Sequence, residues 1–214
     1  MSKSTNTSKA QAIDKSSTTG KKYHHGDLRS SLIQEAKVLL AADGVEGLSL
    51  RKLADRAGVS RTAPYHHFKD KHALLCALAA EGFEKLNSFV NTELAHNDPK
   101  VALPKLVRTY LEFAYKEQEQ YDLMFGRRLW KLAQPTEELR NIAYACFRNY
   151  AKRITGFLTG TPDKEALRLA QASWGTLHGL SHLLIDGIYI DLAGMEEVSE
   201  IAVGIMLKSL QGKG

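Results

Sequence analysis

The sequence contains no run of eighteen apolar residues, so no segment of it is built to cross a membrane as a helix. It has two cysteines, Cys76 and Cys146, each alone in a helical pattern with no CxxC or Cys/His spacing around it. That excludes a disulfide framework and a zinc-knuckle pattern, and leaves reduced, structural thiols. The opening stretch MSKSTNTSKAQAIDKSSTTGKK lacks the apolar middle of a secretory signal, and the expected compartment is therefore the cytoplasm. No strand-like alternation and no Asn-Gly hairpin signal is found, which points away from β structure. A phosphate loop, a nucleophile motif and paired carboxylates beside a base are missing too, which argues against an enzyme.

What remains is an ordinary globular composition of 214 residues, 43% apolar and 25% charged, enough for one large domain or two sharing a core. Charge is unevenly spread. Residues 1–75 carry 13 Lys/Arg against 7 Asp/Glu, a net of +6, so the rest carries 16 against 17, a net of −1. A basic first third on a neutral body suggests that the first part meets a polyanion, although five of its lysines lie before residue 23 and could be a solvated tail. Residues 1–22, rich in Ser, Thr and Lys with three scattered apolar positions, are expected to form a disordered basic arm.

Beyond the arm, apolar spacing predicts helices throughout, about nine in all. The first opens at Asp27, buries Leu28, Leu32, Ile33, Ala36, Leu39 and Leu40, and stops at Gly44. Ser49 caps a short second helix, Gly58-Val59-Ser60 breaks it, and a third short segment runs from Arg61 to about Phe68. Asp70 caps a long fourth helix. Pro99 and Pro104 mark a fifth, and a short segment spans Tyr121 to about Leu132. Another helix runs from Glu137 to Gly160. The next begins at Thr161-Pro162-Asp163, with threonine as cap and proline at the first helical position, and extends to about Tyr189. Gly194 precedes the last.

Two short helices separated by Gly58-Val59-Ser60 form a helix-turn-helix pattern. Gly58 supplies positive φ, Val59 plugs the turn into the core, and Ser60 can cap the second of the two helices. That second stretch is too polar and aromatic for a core helix: Arg61, Thr62, Tyr65, His66, His67 and Lys69 crowd it. Arginine can grip guanine edges in bidentate fashion, while hydroxyls and imidazoles reach phosphates or bases.

These residues carry a resemblance. The stretch from about Tyr23 to Leu86, including LSLRKLADRAGVSRTAPYHHFKDKHALL, resembles the tetracycline-repressor (TetR) family of bacterial transcription factors. YDLMFG at 121–126 and Trp174, His178 and Gly179 resemble the C-terminal domain of one subgroup, known for its Trp-His-Gly signature. The resemblance implies an all-α fold: a three-helix DNA-reading domain at residues 23–70, carried on a larger helical ligand-binding and dimerisation domain at 71–214. It implies a homodimeric regulator, by default a repressor, released from a palindromic double-stranded DNA operator by a small-molecule effector. Carried over by position, Arg61, Thr62 and Ala63 fall where bases are read, and Arg51 where a base or a phosphate is met. Ser49, Ser60, Tyr65, His66, His67 and Lys71 fall where the phosphate backbone is held. Pro64 departs from the expected pattern: inside the recognition helix it removes an amide and biases Ala63 away from α geometry, so the helix should begin later or with a tighter turn.

In the body, Tyr110, Phe113, Phe125, Trp130, Tyr144, Phe147 and Trp174 recur at core spacing, and Met124 and His178 fall in the same pattern. Plain packing explains any single one; as a group they suit an apolar cavity for a hydrophobic or aromatic effector. Trp174, His178, His182 and Asp186 share a stripe. A metal-dependent enzyme built on His178 and His182 is the competing reading, weakened by the lack of a second ligand cluster, and neither metal nor cofactor is expected. A DNA-binding dimer without an effector is the other alternative. Gly175 and Gly179, one turn apart, permit close approach of another helix, so the last two helices are expected to make the dimer contact.

Overall fold

The computed structural model describes residues 25–158, 160–188 and 194–210. The basic arm and the side chains around the Asp27 cap lie outside the described residues. Eight α-helices account for most of the remainder, with no strand among the described residues.

Helix α1 (His25–Gly47) leaves helical geometry at Gly44, where φ is 63° and ψ is −176°. Glycine adopts this conformation without the clash a Cβ would cause, so Gly44 does end the regular helix, and a last turn follows it. Helix α2 (Leu50–Ala57) is capped by Ser49, whose hydroxyl accepts the Lys52 amide at 3.1 Å. Gly58, left-handed at φ 66°, closes α2 by donating its amide to the Ala54 and Asp55 carbonyls. Helix α3 (Lys71–Glu93) starts at Asp70, whose carboxylate takes the Ala73 amide at 2.8 Å.

The body adds α4 (Pro99–Lys116), α5 (Gln118–Phe125), α6 (Glu137–Thr155), α7 (Asp163–Ile185) and α8 (Met195–Leu210). Four expected helices are shorter than the sequence suggests: α6 ends at Thr155, short of Gly160, with Gly156 as its cap, and α7 ends at Ile185, short of Tyr189, as the chain turns left-handed at Gly187 (φ 64°). The segment from Arg61 to Phe68 contains only a 3₁₀ turn, Ala63–His66, and the Tyr121–Leu132 segment divides into α5 and a π turn at Arg128–Leu132. The expected helix start at Thr161 moves by one residue: Pro162 is the cap and Asp163 the first helical position.

Leu32, Leu40, Leu48, Leu53 and Phe68 are almost wholly buried and tie α1, α2 and the 3₁₀ turn into a compact head. Helix α3 belongs to both parts. It packs on α1 near the head and on α4, α5 and α6 in the body, and Leu74, Leu78, Leu86 and Val90 are fully buried along it. Gly82 lets α5 lie close to α3: a Cβ there would stand 2.4 Å from the Met124 sulfur, and Met124 is itself fully buried. Head and body are also joined by Arg128 to Glu46 at 2.7 Å and Lys37 to Glu81 at 3.3 Å.

Candidate nucleic-acid interface and the aromatic cluster

Pro64 is accommodated because the turn is 3₁₀ and not α. The amide it lacks falls near the start of the turn, where little is lost, and its ring is buried. Around it the chain closes on itself: Ala63 donates its amide to Ser60, Tyr65 to Thr62, and both His67 and Phe68 to the Pro64 carbonyl. Phe68 then anchors the turn at 2% exposure. Ser60, Arg61, Thr62, Tyr65 and His66 are left exposed, with Tyr65 at 56%, and Ala63 and His67 are half-buried. The hydroxyls of Ser60 and Thr62 lie 3.1 Å apart.

The charges are partly spoken for. On α2, Lys52 pairs with Asp43 at 3.0 Å and Arg56 with Glu35 at 2.6 Å. Arg61 reaches back to Asp55 at 3.8 Å, a loose and exposed pair worth about 0–1 kcal/mol. Lys71, on the first turn of α3, has one hydrogen-bond partner among the described residues, the Glu46 carbonyl at 3.5 Å. Arg51 and Lys69 are exposed and form no ion pair among the described residues. Thus Arg51, Lys69 and Lys71, beside the Ala63–His66 turn, form no ion pair among the described residues, and Arg61 is held only loosely. Sequence reasoning misses Asp55, because its spacing from Arg61, across a turn, carries no helical signal.

In the body the rings interlock. Trp174 meets Tyr110, Phe125, Phe147 and Tyr150 edge-on, with centroids 4.8–6.3 Å apart. Tyr121 lies at the centre, against Tyr110, Phe113, Phe125, His178 and His182. Hydroxyls link the rings: Tyr110 to Tyr121 at 3.0 Å, Tyr121 to His178 Nδ1 at 2.8 Å, and Tyr150 to Ser173 at 2.7 Å. Burial, reinforced by neighbouring His182, pushes the His178 imidazole down to about 4, so it is neutral near pH 7. Burial pushes Tyr121 up to about 12. Asp122 is raised by burial and by Asp186, with His182 opposing.

Three expected lining residues sit elsewhere. Met124 and Trp130 belong to the α3–α5 seam, where the Trp130 indole donates to the Met124 carbonyl at 2.6 Å and its ring meets Phe83. Tyr144 is 54% exposed and makes no ring contact among the described residues. Helix α6 buries Leu139, Ala143, Cys146, Tyr150 and Ile154, and Tyr144 falls about 100° beyond that stripe. Tyr121 and Tyr150 are central to the cluster yet absent from the expected lining, since aromatic type alone does not separate them from ordinary core. Among the described residues, no three His, Cys, Asp or Glu side chains gather as metal ligands, so His178 and His182 lack the third protein ligand that a zinc centre needs. On the outer side of α7, Ala172, Gly175, Thr176 and Gly179 line the surface, and on α8 Ile201 and Ile205 are 64% and 59% exposed.

Residues 32–78 match the family model "Bacterial regulatory proteins, tetR family", and residues 103–205 match "Tetracyclin repressor-like, C-terminal domain". The chain is 28% identical over 189 residues to the HTH-type transcriptional repressor AcnR of Corynebacterium glutamicum, covering 84% of this chain and 93% of that one. It is 53% identical over 51 residues to the class C tetracycline repressor protein of Escherichia coli, a local match covering 24% of this chain and 23% of the repressor. A solved structure of a Rhodococcus sp. RHA1 protein superposes with a TM-score of 0.76 at 32% identity, covering 90% of this chain and all of that one.

Proposed function

The chain belongs to the tetR family of bacterial regulatory proteins, and from that premise we propose that it is a homodimeric repressor. In this reading it holds a palindromic operator and releases it when a small apolar or aromatic molecule enters the body. The observation that carries the proposal is the head. A glycine-closed turn presents Ser60, Arg61, Thr62, Tyr65 and His66 as an exposed, polar surface on a packed core, with Arg51, Lys69 and Lys71 around it forming no ion pair among the described residues. Arg61, Thr62 and Ala63 read base edges, Tyr65, His66 and His67 lean on the backbone, and Ser49, Arg51, Ser60 and Lys71 hold phosphates. The cations among the phosphate contacts, Arg51 and Lys71 on each head, make the binding salt-dependent.

Two copies pair through α7 and α8. The glycines on the outer side of α7 admit a partner helix closely, and Ile201 and Ile205 supply apolar surface that a lone subunit leaves in water. The paired heads then meet successive major grooves about one DNA turn apart. Chromosomal DNA as partner places the action in the cytoplasm. Signal passes along α5, which carries Tyr121 and Phe125 into the aromatic cluster while packing on α1 of the head.

The test is selection of bound sequences from random duplexes by the full-length protein. An inverted repeat with half-sites about one turn apart is expected; recovery of no preferred sequence at moderate salt would sink the proposal. Ile205→Glu, measured by sedimentation, should yield monomers that lose the operator.

A further inference from the structure

The hydrogen-bond chain inside the body has a direction. Tyr110 is 1% exposed, and among the described residues its hydroxyl has one partner, the Tyr121 hydroxyl at 3.0 Å. A sealed hydroxyl hydrogen without an acceptor is costly, so Tyr110 donates and Tyr121 accepts. Ser181, whose own hydrogen goes to the Leu177 carbonyl at 2.9 Å, also lies against the Tyr121 hydroxyl; an imidazole nitrogen is the stronger acceptor of the two, so the hydrogen of Tyr121 goes to Nδ1 of His178, 2.8 Å away. An imidazole accepting at Nδ1 is neutral and carries its hydrogen on Nε2. That N–H has no hydrogen-bond partner among the described residues.

One helical turn earlier on α7, the indole N–H of Trp174 also has no partner among the described residues, and it is not sealed from water. Phe125 packs against both rings, with centroids 6.3 Å from Trp174 and 4.6 Å from His178. These three side chains are half-buried, whereas Tyr110, Tyr121 and Tyr150 behind them are fully enclosed. The cluster therefore meets solvent through Phe125, Trp174 and His178 and not through the three tyrosines. Carboxylates adjoin the cluster: Asp122, next to Tyr121 on α5, interacts with Asp186 and with His182, whose ring meets that of His178 at 4.5 Å. The one cation over a ring of this group among the described residues, Lys85 above Phe113, is paired with Glu117.

We propose that Trp174 Nε1–H and His178 Nε2–H are the paired donors of the effector site. The effector they fit is an uncharged, largely aromatic molecule bearing a carbonyl or ether oxygen, its apolar part seated on Phe125. Donors without a matching cation favour a neutral acceptor, and the adjoining carboxylates disfavour an anion. This inference rests on the reading that the body binds a small molecule.

Four probes of one shape separate the possibilities: benzophenone, diphenylmethane, diphenylacetate and benzhydrylammonium, each titrated into the full-length dimer by thermal shift and isothermal calorimetry. Benzophenone should bind at least about tenfold tighter than diphenylmethane, the worth of one or two neutral hydrogen bonds. His178→Phe, which keeps a ring in place and leaves the Trp174 donor, should lower that ratio severalfold, and His178→Phe combined with Trp174→Phe should bring it to about one. Nitrogen NMR of the unliganded protein should report hydrogen on Nε2 of His178, a readout that does not depend on how the variant folds. Tightest binding by the anion or the cation, a ratio unchanged in His178→Phe, or hydrogen on Nδ1 overturns the donor assignment and leaves the ligand-binding body standing. No shift with any of the four probes overturns both.

Discussion

Replacing Pro64 by alanine tests whether the tight turn is the reading conformation. The proline ring is buried, and alanine removes two of its methylenes, a loss of about 1.6 kcal/mol at about 0.8 kcal/mol each. The freer unfolded chain adds about 0.4–1 kcal/mol. Against this, the new amide at position 64 can bond the Arg61 carbonyl, a gain of about 1 kcal/mol at most. The net cost is about 1–2.5 kcal/mol, a fall in Tm of about 2–10 °C for a chain of this length. The loosened turn must be ordered again on DNA, and fixing about one residue costs about 1 kcal/mol, or about fivefold in operator affinity. A calorimetric melt and fluorescence anisotropy on a selected operator measure the two effects. If Pro64→Ala melts unchanged and binds the operator more tightly, the segment reads DNA as an α-helix and the 3₁₀ turn is not the binding conformation.

Lys71→Ala should weaken binding to every sequence alike and make the salt slope about 0.9 shallower per site, because among the described residues it has no ion pair and one long hydrogen bond to the Glu46 carbonyl; an unchanged slope contradicts a phosphate role. Arg61→Ala should instead cost about 1–3 kcal/mol at particular operator positions, read by competition with mismatched duplexes, and uniform weakening would show that the side chain touches no base. Gly82→Ala sets about 1–3 kcal/mol of overpacking against Met124 against about 1 kcal/mol of gained helix propensity; a net loss in denaturant melts that Met124→Ala partly relieves is expected. Acid should act through His178, which titrates lower in the folded protein, at about 4, than in an unfolded chain at about 6.5. The unfolded form therefore takes up its proton first, and stability should fall as pH drops from about 6.5 through about 4. In melts across that window, His178→Phe should lose this part of the slope, and an unaltered slope would place the proton elsewhere.

Much of the head is written in local chemistry. Ser49, Gly58 and Asp70 cap or close helices using only their own neighbours, so their roles follow from residue type and spacing. Pro64 likewise announces a tight turn, because the missing amide and fixed φ are properties of the residue itself. The body is legible as helices but less so as a site. Apolar periodicity marks which positions are buried, yet it does not say which buried ring meets which. Tyr144 groups with the cluster on type and lies outside it, while Tyr121 holds the centre.

The sequence alone therefore determined the helical class, the position of the DNA-reading turn and the basic character of its surroundings, since capping, φ preference and charge act over one or two turns of chain. Tertiary structure alone decided which cations stay uncompensated, because Asp43, Glu35 and Asp55 are brought to Lys52, Arg56 and Arg61 by packing or by a turn. It also decided the order of hydroxyls from Tyr110 through Tyr121 to His178, which joins α4, α5 and α7 across up to 57 positions of sequence. A hydrogen bond of that kind is fixed by where helices cross, and that is settled by the summed fit of a whole core.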